Sequence, residues 1–198
     1  MVLSFILLFL IIVLLIILSM VWPPDSPWAP WWRTSKKTAR AMCKLANVRT
    51  EDIVYDLGSG DGTSLIVAAR EFGATSVGIE IDPLRFFISK ILIRYYNLSK
   101  KIKVYRKNFF NIDISDASVI FLYLVPKALM RLKPKLLKEL KPGTKVVTVT
   151  YPIPGGLTGK EEDKHLKPLG VKESLVLYNP LKKDERKIFL YIVPEKKK

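Results

Sequence analysis

The chain has 198 residues, of which 49% are hydrophobic and 26% are charged, a composition that excludes an intrinsically disordered protein. Its 33 Lys and Arg residues outnumber its 18 Asp and Glu residues, so the formal net charge is +15. One cysteine, Cys43, excludes an intramolecular disulfide bond, and one histidine, His165, is too few for a multi-histidine metal site. We therefore predict chemistry that needs no metal ion.

The first 24 residues carry no charged side chain, and residues 2–22 are apolar except for Ser4 and Ser19. A helix of this length, rising about 1.5 Å per residue, matches the roughly 30 Å hydrocarbon core of a bilayer. This pattern predicts a transmembrane anchor over residues 1–24. The alternative is a cleaved signal peptide, which typically has a basic start and small residues at its cleavage site. Here, bulky residues and prolines stand at 21–24 instead.

A juxtamembrane linker rich in tryptophan and proline is predicted over residues 25–33, followed by a single domain over 34–198. The four tryptophans of the chain are Trp22, Trp28, Trp31 and Trp32. Such clustering is typical of an aromatic belt at a membrane interface, although a linker packed on the domain is the alternative. The basic residues that follow are Arg33, Lys36, Lys37 and Arg40. The positive-inside rule then predicts a cytoplasmic domain whose basic surface faces an anionic membrane.

The domain is predicted to begin with a helix over 34–47, because Ala39, Met42, Cys43 and Ala46 share one helical face. Either Thr34 or Ser35 could cap this helix.

Strands and helices alternate along the rest of the domain. Strands are predicted over 53–57, 76–81, 102–106, 117–124 and 145–151, with helices over 63–72 and 82–96 and two short helical stretches flanking Pro134. Near the C-terminus, residues 175–179 and 187–193 are predicted to form an antiparallel hairpin at the sheet edge. The alternation predicts an α/β fold with a doubly wound, largely parallel sheet and helices on both faces.

A glycine-rich stretch follows the first strand and reads Asp56-Leu-Gly58-Ser-Gly60-Asp61-Gly62. Glycine lets the backbone turn sharply and come close to a ligand. Glu80 ends the second strand, where a carboxylate can accept hydrogen bonds from ribose hydroxyls. The spacing G-x-G-x-G differs from the G-x-G-x-x-G of dinucleotide sites. We therefore predict a nucleoside cofactor without phosphate, and Asp56 would suit an ammonium or sulfonium group.

This stretch resembles the first motif of the S-adenosylmethionine-dependent methyltransferases of the seven-stranded class, an acidic-x-Gly-x-Gly-x-Gly loop. The resemblance implies a Rossmann-like sheet of seven strands and S-adenosyl-L-methionine as cofactor. It also implies that Glu80 binds the ribose and that Asn108 and Phe109, after the third strand, contact the adenine. The cofactor-binding residues are then Asp56, Gly58, Gly60, Asp61, Gly62, Glu80, Asn108 and Phe109.

The runs at 108–115 and 132–147 are similar to archaeal protein-lysine methyltransferases and their membrane-anchored mitochondrial relatives. This resemblance, which covers about residues 30–152, implies in-line methyl transfer to lysine ε-amines of proteins, in a mitochondrion if the source is eukaryotic. In that family a Tyr-x-Pro-Thr-Pro segment before the first helix lines the active site. The corresponding residues 31–35 keep only Thr34, for which a plain helix cap is the alternative role.

An acceptor pocket is predicted at the ends of the fourth and fifth strands, with Phe121, Tyr123 and Tyr151 as candidate walls or, alternatively, as core residues. The stretch after the fourth strand lacks the Asp/Asn-Pro-Pro-aromatic motif of enzymes that methylate base amines, and Cys43 lies in the wrong segment for cytosine chemistry. Nucleic acid is therefore the less favoured partner. A lipid, quinone or RNA methyltransferase and a non-catalytic cofactor-binding scaffold remain alternatives. His165 is predicted to be an exposed loop residue.

Overall fold

The structure is a computed structural model that describes residues 2–21, 32–157, 171–179 and 184–195. Its first element is helix α1 (Val2–Val21), which stops before Pro23 and Pro24 in the sequence, because proline cannot continue a helix. Within the described ranges, no helix is both long and apolar enough to cross a membrane. A helix therefore forms where one was predicted, but its transmembrane character is not shown.

Four helices and seven strands build the domain that follows, in the predicted alternation. The helices are α2 (Lys36–Leu45), α3 (Thr63–Glu71), α4 (Pro83–Tyr95) and α5 (Pro126–Glu139), with a short 3-10 turn at Phe109–Asn111. The strands are β1 (Ile53–Leu57), β2 (Thr75–Glu80), β3 (Ile102–Arg106), β4 (Val119–Leu122), β5 (Lys145–Val149), β6 (Val171–Asn179) and β7 (Asp184–Ile192).

The strands form one sheet in the order β3-β2-β1-β4-β5-β7-β6. Strands β1 to β5 are parallel, and β7 pairs antiparallel with both β5 and β6. The predicted α/β Rossmann-like sheet and its antiparallel C-terminal hairpin are confirmed. The chain reverses its direction of winding between β1 and β4, and ligands of such sheets bind at the carboxyl ends of the strands beside this point.

The central strands are buried on both faces. Val119 and Phe121 pack into the cluster formed with α2 and α3, whereas Ile120 and Leu122 pack into the cluster formed with α5. All four side chains are fully buried, which explains why β4 reads as a continuous apolar run rather than an alternating one. Phe121 is therefore a core residue, and its prediction as a wall of the acceptor pocket is wrong.

Helix α5 continues through Pro134 as one helix, so the prediction of two short stretches is wrong. An interior proline removes a hydrogen bond and costs about 3 kcal/mol. Leu132 and Leu136, on either side of it, are fully buried against the sheet. Because burying each such side chain contributes about 1.5–3 kcal/mol, their packing offsets the local cost.

Several predictions fall outside the described residues. They concern Trp22, Trp28, Trp31 and His165, together with most of the linker at 25–33.

Candidate active site

The glycine-rich loop (residues 58–62) joins β1 to α3 at the carboxyl edge of the sheet. Gly58, Gly60 and Gly62 have φ angles of 95°, 55° and 78°, a region that residues with a Cβ rarely occupy. The N–H groups of Gly58 and Ser59 donate to the carbonyl of Ile79 at 2.8 and 3.0 Å. These bonds hold the loop against the end of β2.

Glu80, the last residue of β2, supports the same loop. Its Oε2 accepts a hydrogen bond from the N–H of Gly60 at 2.7 Å, and its Oε1 accepts one from the N–H of Asp82 at 2.9 Å. Burial raises the pKa of the Glu80 carboxyl, while these two bonds oppose the shift. Each carboxylate oxygen has two acceptor sites, so both oxygens can also accept from the two hydroxyls of a ribose.

Asp56 lies near the end of β1 and is buried. The hydroxyl of Ser64, in the first turn of α3, donates a hydrogen bond to its Oδ2. Burial raises the pKa of Asp56 to about 7, with smaller contributions from the negative charges of Glu80 and Asp61. This carboxyl therefore changes its charge near neutral pH.

Asp61 connects the loop to the segment before α2. Its Oδ1 accepts from both the N–H and the hydroxyl of Thr63, at 3.1 and 2.7 Å. Its Oδ2 forms an ion pair with Nε of Arg33 at 2.6 Å. The segment that precedes α2 thus reaches the cofactor loop through Arg33.

The three carboxyl groups suit a cationic nucleoside better than a pyrophosphate. Asp56, Asp61 and Glu80 all surround the loop, and their combined charge would repel phosphate groups while attracting a positively charged ligand. The N–H groups of Gly58, Ser59 and Gly60 are already bonded within the protein rather than directed to an anion. The residues present therefore fit the predicted cofactor.

Tyr123, one residue beyond β4, stands at the same edge of the sheet. Its ring contacts Trp32 edge-on, with centroids 6.1 Å apart, and the Arg186 guanidinium lies 6.0 Å from the ring centroid. Its hydroxyl is 3.4 Å from Oγ1 of Thr150, which follows β5. Thr150 has a φ of 70°, an uncommon angle for a β-branched residue, so the chain turns sharply there before half-buried Tyr151.

Residues 56–158 match the ANTKMT methyltransferase domain. A protein-lysine N-methyltransferase of Saccharolobus islandicus is 40% identical over 137 residues, which are 69% of this chain and 83% of that protein. The chain belongs to the ANTKMT methyltransferase family. The resemblance seen in the sequence is thereby confirmed.

Two further relatives place this methyltransferase more widely. A human lysine N-methyltransferase named for ATP synthase is 29% identical over 118 residues, which are 60% of this chain but only 50% of that protein. An RNA methyltransferase from Salinibacter ruber, solved with S-adenosyl-L-homocysteine, superposes with a TM-score of 0.72 at 30% identity and covers 84% of this chain and 97% of its own. S-adenosyl-L-methionine, the predicted cofactor, is thereby confirmed.

The methyltransferase places the remaining predicted cofactor residues at the same sheet edge. Asn108 and Phe109 follow β3, whose Arg106 pairs in register with Glu80. Oδ1 of Asn108 accepts a hydrogen bond from the N–H of Phe110 at 3.0 Å, and Phe109 is half-buried. Their contact with adenine stays a prediction.

The segment before α2 contributes side chains that the sequence did not indicate. Ser35 is the cap of α2, since its Oγ accepts from the N–H of Thr38 at 3.0 Å. Thr34 is half-buried beside it and does not cap the helix. Trp32 and Arg33, which were interpreted only as membrane-facing residues, contact Tyr123 and Asp61 instead.

Gly78 is a further position that the sequence did not single out. A Cβ at this place in β2 would lie 2.5 Å from Cδ1 of Leu65 and 2.7 Å from Oγ of Ser59. Only glycine therefore lets α3 and the cofactor loop lie this close to β2. A glycine inside a predicted strand is the signal that could have indicated it.

Asp56 should make cofactor binding pH-dependent. Its pKa of about 7 means that the positively charged cofactor must favour the ionised form, so affinity should rise as the pH increases through 7. Without cofactor the sign is opposite. The folded state then holds the proton more tightly than the unfolded chain, so the stabilisation present below the ordinary pKa of 3.8 is lost as the pH rises through about 7.

Calorimetric titration of S-adenosyl-L-methionine between mildly acidic and mildly alkaline pH tests this. Subtracting the profile of Asp56→Asn removes the titration of the cofactor's own amine. Glu71→Gln, which changes a carboxylate paired with Arg40 far from the loop, should keep the wild-type profile. Parallel profiles for the wild type and Asp56→Asn would contradict the assignment.

Proposed function

We propose that this methyltransferase transfers methyl groups to the ε-amines of protein lysines. The observation that carries the proposal is the 40% identity to a protein-lysine N-methyltransferase across 83% of that protein. The human relative, whose name also specifies a lysine N-methyltransferase, supports the same acceptor chemistry. Tyr123, beside the cofactor loop, is the first candidate for the wall of a lysine pocket, with Thr34 and Tyr151 as further candidates.

A lysine acceptor must lose a proton before it can attack. With an ordinary pKa of about 10.4, freeing the amine at pH 7 costs about 4.6 kcal/mol. When bound, S-adenosyl-L-methionine supplies an electrophilic methyl group on a sulfonium. The aromatic rings of Tyr123 and Trp32 would lower the amine's pKa by excluding water. The positive charge of Arg186, above the Tyr123 ring, disfavours the ammonium form further.

Labelled S-adenosyl-L-methionine, incubated with the full-length enzyme and membrane or cytosolic protein fractions, tests the acceptor. We expect acid-stable label that runs as mono-, di- or trimethyl-lysine. The rate should rise with pH through the neutral range, at most about tenfold per unit, because the amine deprotonates. Tyr123→Ala should lower turnover more than cofactor affinity, whereas Tyr105→Ala, at an exposed tyrosine of edge strand β3, should change neither.

A second candidate acceptor is RNA, because the Salinibacter ruber relative of similar fold is an RNA methyltransferase. The same assay separates the two. Label found only in RNA, or only in a solvent-extractable lipid or quinone, would contradict the lysine proposal. An absence of turnover with every fraction would favour a cofactor-binding scaffold.

We also propose that α1 attaches the enzyme to a membrane, with the catalytic domain on the cytoplasmic side, or inside the mitochondrion in a eukaryotic cell. Large apolar side chains of α1, such as Leu3, Phe5 and Phe9, are more than 60% exposed, so water is an unfavourable environment for this helix. The basic domain would then face an anionic lipid surface.

Membrane fractionation tests this attachment. The full-length enzyme should stay with the membrane pellet after alkaline carbonate extraction, and external protease should not reach the domain in intact cells. Exchanging Leu7, Leu10 and Leu14 for Asn should release it. Recovery of the wild-type protein in the soluble fraction with a new N-terminus would indicate a cleaved leader instead.

A further inference from the structure

Helix α4 presents large apolar side chains on the face that points away from the core. Its inner face buries Arg85, Ser89 and Ile93. The outer face carries Phe87, Ile91 and Tyr95, which are 61%, 53% and 75% exposed, again at intervals of four residues. A shift of two residues turns the helix by about 200°, so this second stripe lies opposite the first.

A strong positive charge surrounds the outer face. Between Asp82 and Asp113 the sequence contains no acidic residue. Its basic residues there are Arg85, Lys90, Arg94, Lys100, Lys101, Lys103, Arg106 and Lys107. Lys90 and Arg94 belong to α4 itself and are exposed.

The same basic character continues onto the neighbouring helices. The side chains of Arg70 on α3 and Lys36 on α2 lie over the ring of Tyr96, at 5.1 and 5.7 Å from its centroid. Tyr96 caps the C-terminal end of α4 and packs edge-on against Tyr95. The outer face of α4 is therefore continuous with cations contributed by three helices.

We propose that this surface, the α4 face (Phe87, Ile91 and Tyr95 with Lys90 and Arg94), rests on an anionic lipid bilayer. An apolar stripe flanked by Lys and Arg on a helix is the pattern of interfacial membrane binding, in which apolar side chains enter the headgroup region and cations meet lipid charges. The proposal rests on the proposed membrane location of the enzyme and adds the surface that contacts the lipid.

Two other occupants fit the α4 face less well. A second copy of the chain would bring two positively charged faces together, which is electrostatically unfavourable. Single-stranded RNA is held by a charged groove with stacking aromatic rings, whereas this face is a convex helix with an aliphatic residue, Ile91, at its centre. Lipid satisfies both the apolar stripe and the charge.

An environment-sensitive fluorophore on an introduced cysteine tests the α4 face in the full-length enzyme. Cys43 does not compete for the label, because it is fully buried and burial raises the pKa of its thiol to about 12. Ile91→Cys and Tyr95→Cys report on the proposed face. Met130→Cys, at an exposed apolar residue of α5 (54%), is the matched control.

With vesicles of phosphatidylcholine and phosphatidylserine, labels at 91 and 95 should shift to the blue and lose quenching by aqueous iodide, while the label at 130 should not. Phosphatidylcholine alone should give a smaller shift. Water-like emission at 91 and 95 in enzyme that co-sediments with the vesicles would overturn the α4 proposal but leave membrane attachment intact. Failure to co-sediment would overturn both, and lysine methylation is measured separately. A shift that appears without lipid, from self-association, or only with RNA would also overturn it.

Discussion

Glu80→Ala is expected to weaken the binding of S-adenosyl-L-methionine at least tenfold. The substitution removes the predicted acceptor of two charge-assisted hydrogen bonds from the ribose, each contributing about 1.5–3 kcal/mol. It also removes the partner of the Gly60 and Asp82 N–H groups, which Glu80 accepts at 2.7 and 2.9 Å. The loop that carries the cofactor would therefore lose its support as well as a ligand contact.

Calorimetry on purified variants measures this effect. Glu80→Gln keeps one acceptor oxygen and should lie between the wild type and Glu80→Ala. Asp82→Ala should weaken binding much less, because Asp82 caps α4 through the N–H of Arg85 and does not support the glycine loop. Asn108→Ala should have an intermediate effect. Equal affinities for the wild type and Glu80→Ala would remove Glu80 from the site.

Gly60→Val is expected to abolish cofactor binding. Gly60 has a φ of 55°, which is uncommon for any residue with a Cβ and an outlier for a β-branched one. Its N–H is also the donor to Glu80, so a change of the local backbone to relieve the strain would break this bond. A branched side chain would in addition occupy the place where the cofactor must approach the loop.

Gly143→Val separates the loss of binding from the general cost of strain. Gly143 also has a positive φ, 86°, but a Cβ there would meet nothing within 4 Å, and the residue lies in the turn before β5, away from the loop. It should lower the melting temperature while leaving cofactor affinity near the wild-type value. Wild-type affinity in Gly60→Val would show that the loop conformation is not needed for binding.

Local patterns were sufficient for much of the fold and for the cofactor loop. The stretch 56–62 and Glu80 are separated by one helix in the sequence, and parallel strands bring their carboxyl ends together at one edge. This is why the spacing alone placed Glu80 beside Gly60. The strand bounds of β1 and β3 followed in the same way from short apolar runs.

What the sequence did not indicate depends on contacts between distant segments. Arg33 pairs with Asp61 across 28 positions, and no local pattern distinguishes this use of an arginine from a membrane-facing one. Pro134 reads as a helix breaker unless the burial of its neighbours is known. Phe121 and Tyr123 are two residues apart, but one lies inside β4 and the other just beyond it, and only the end of the strand decides which faces the pocket.

The ion pair of Arg33 with the cofactor loop also determines how far the enzyme can act from its proposed anchor. Helix α1 ends at Val21, and Trp32, next to Arg33, already contacts Tyr123. From residue 21 to residue 32 the chain makes eleven Cα steps of at most about 3.6 Å, or roughly 40 Å. With α1 in a bilayer, this short tether confines the active site to a shell above the lipid. The enzyme would then select lysines by their height above the membrane, before any pocket distinguishes their sequence.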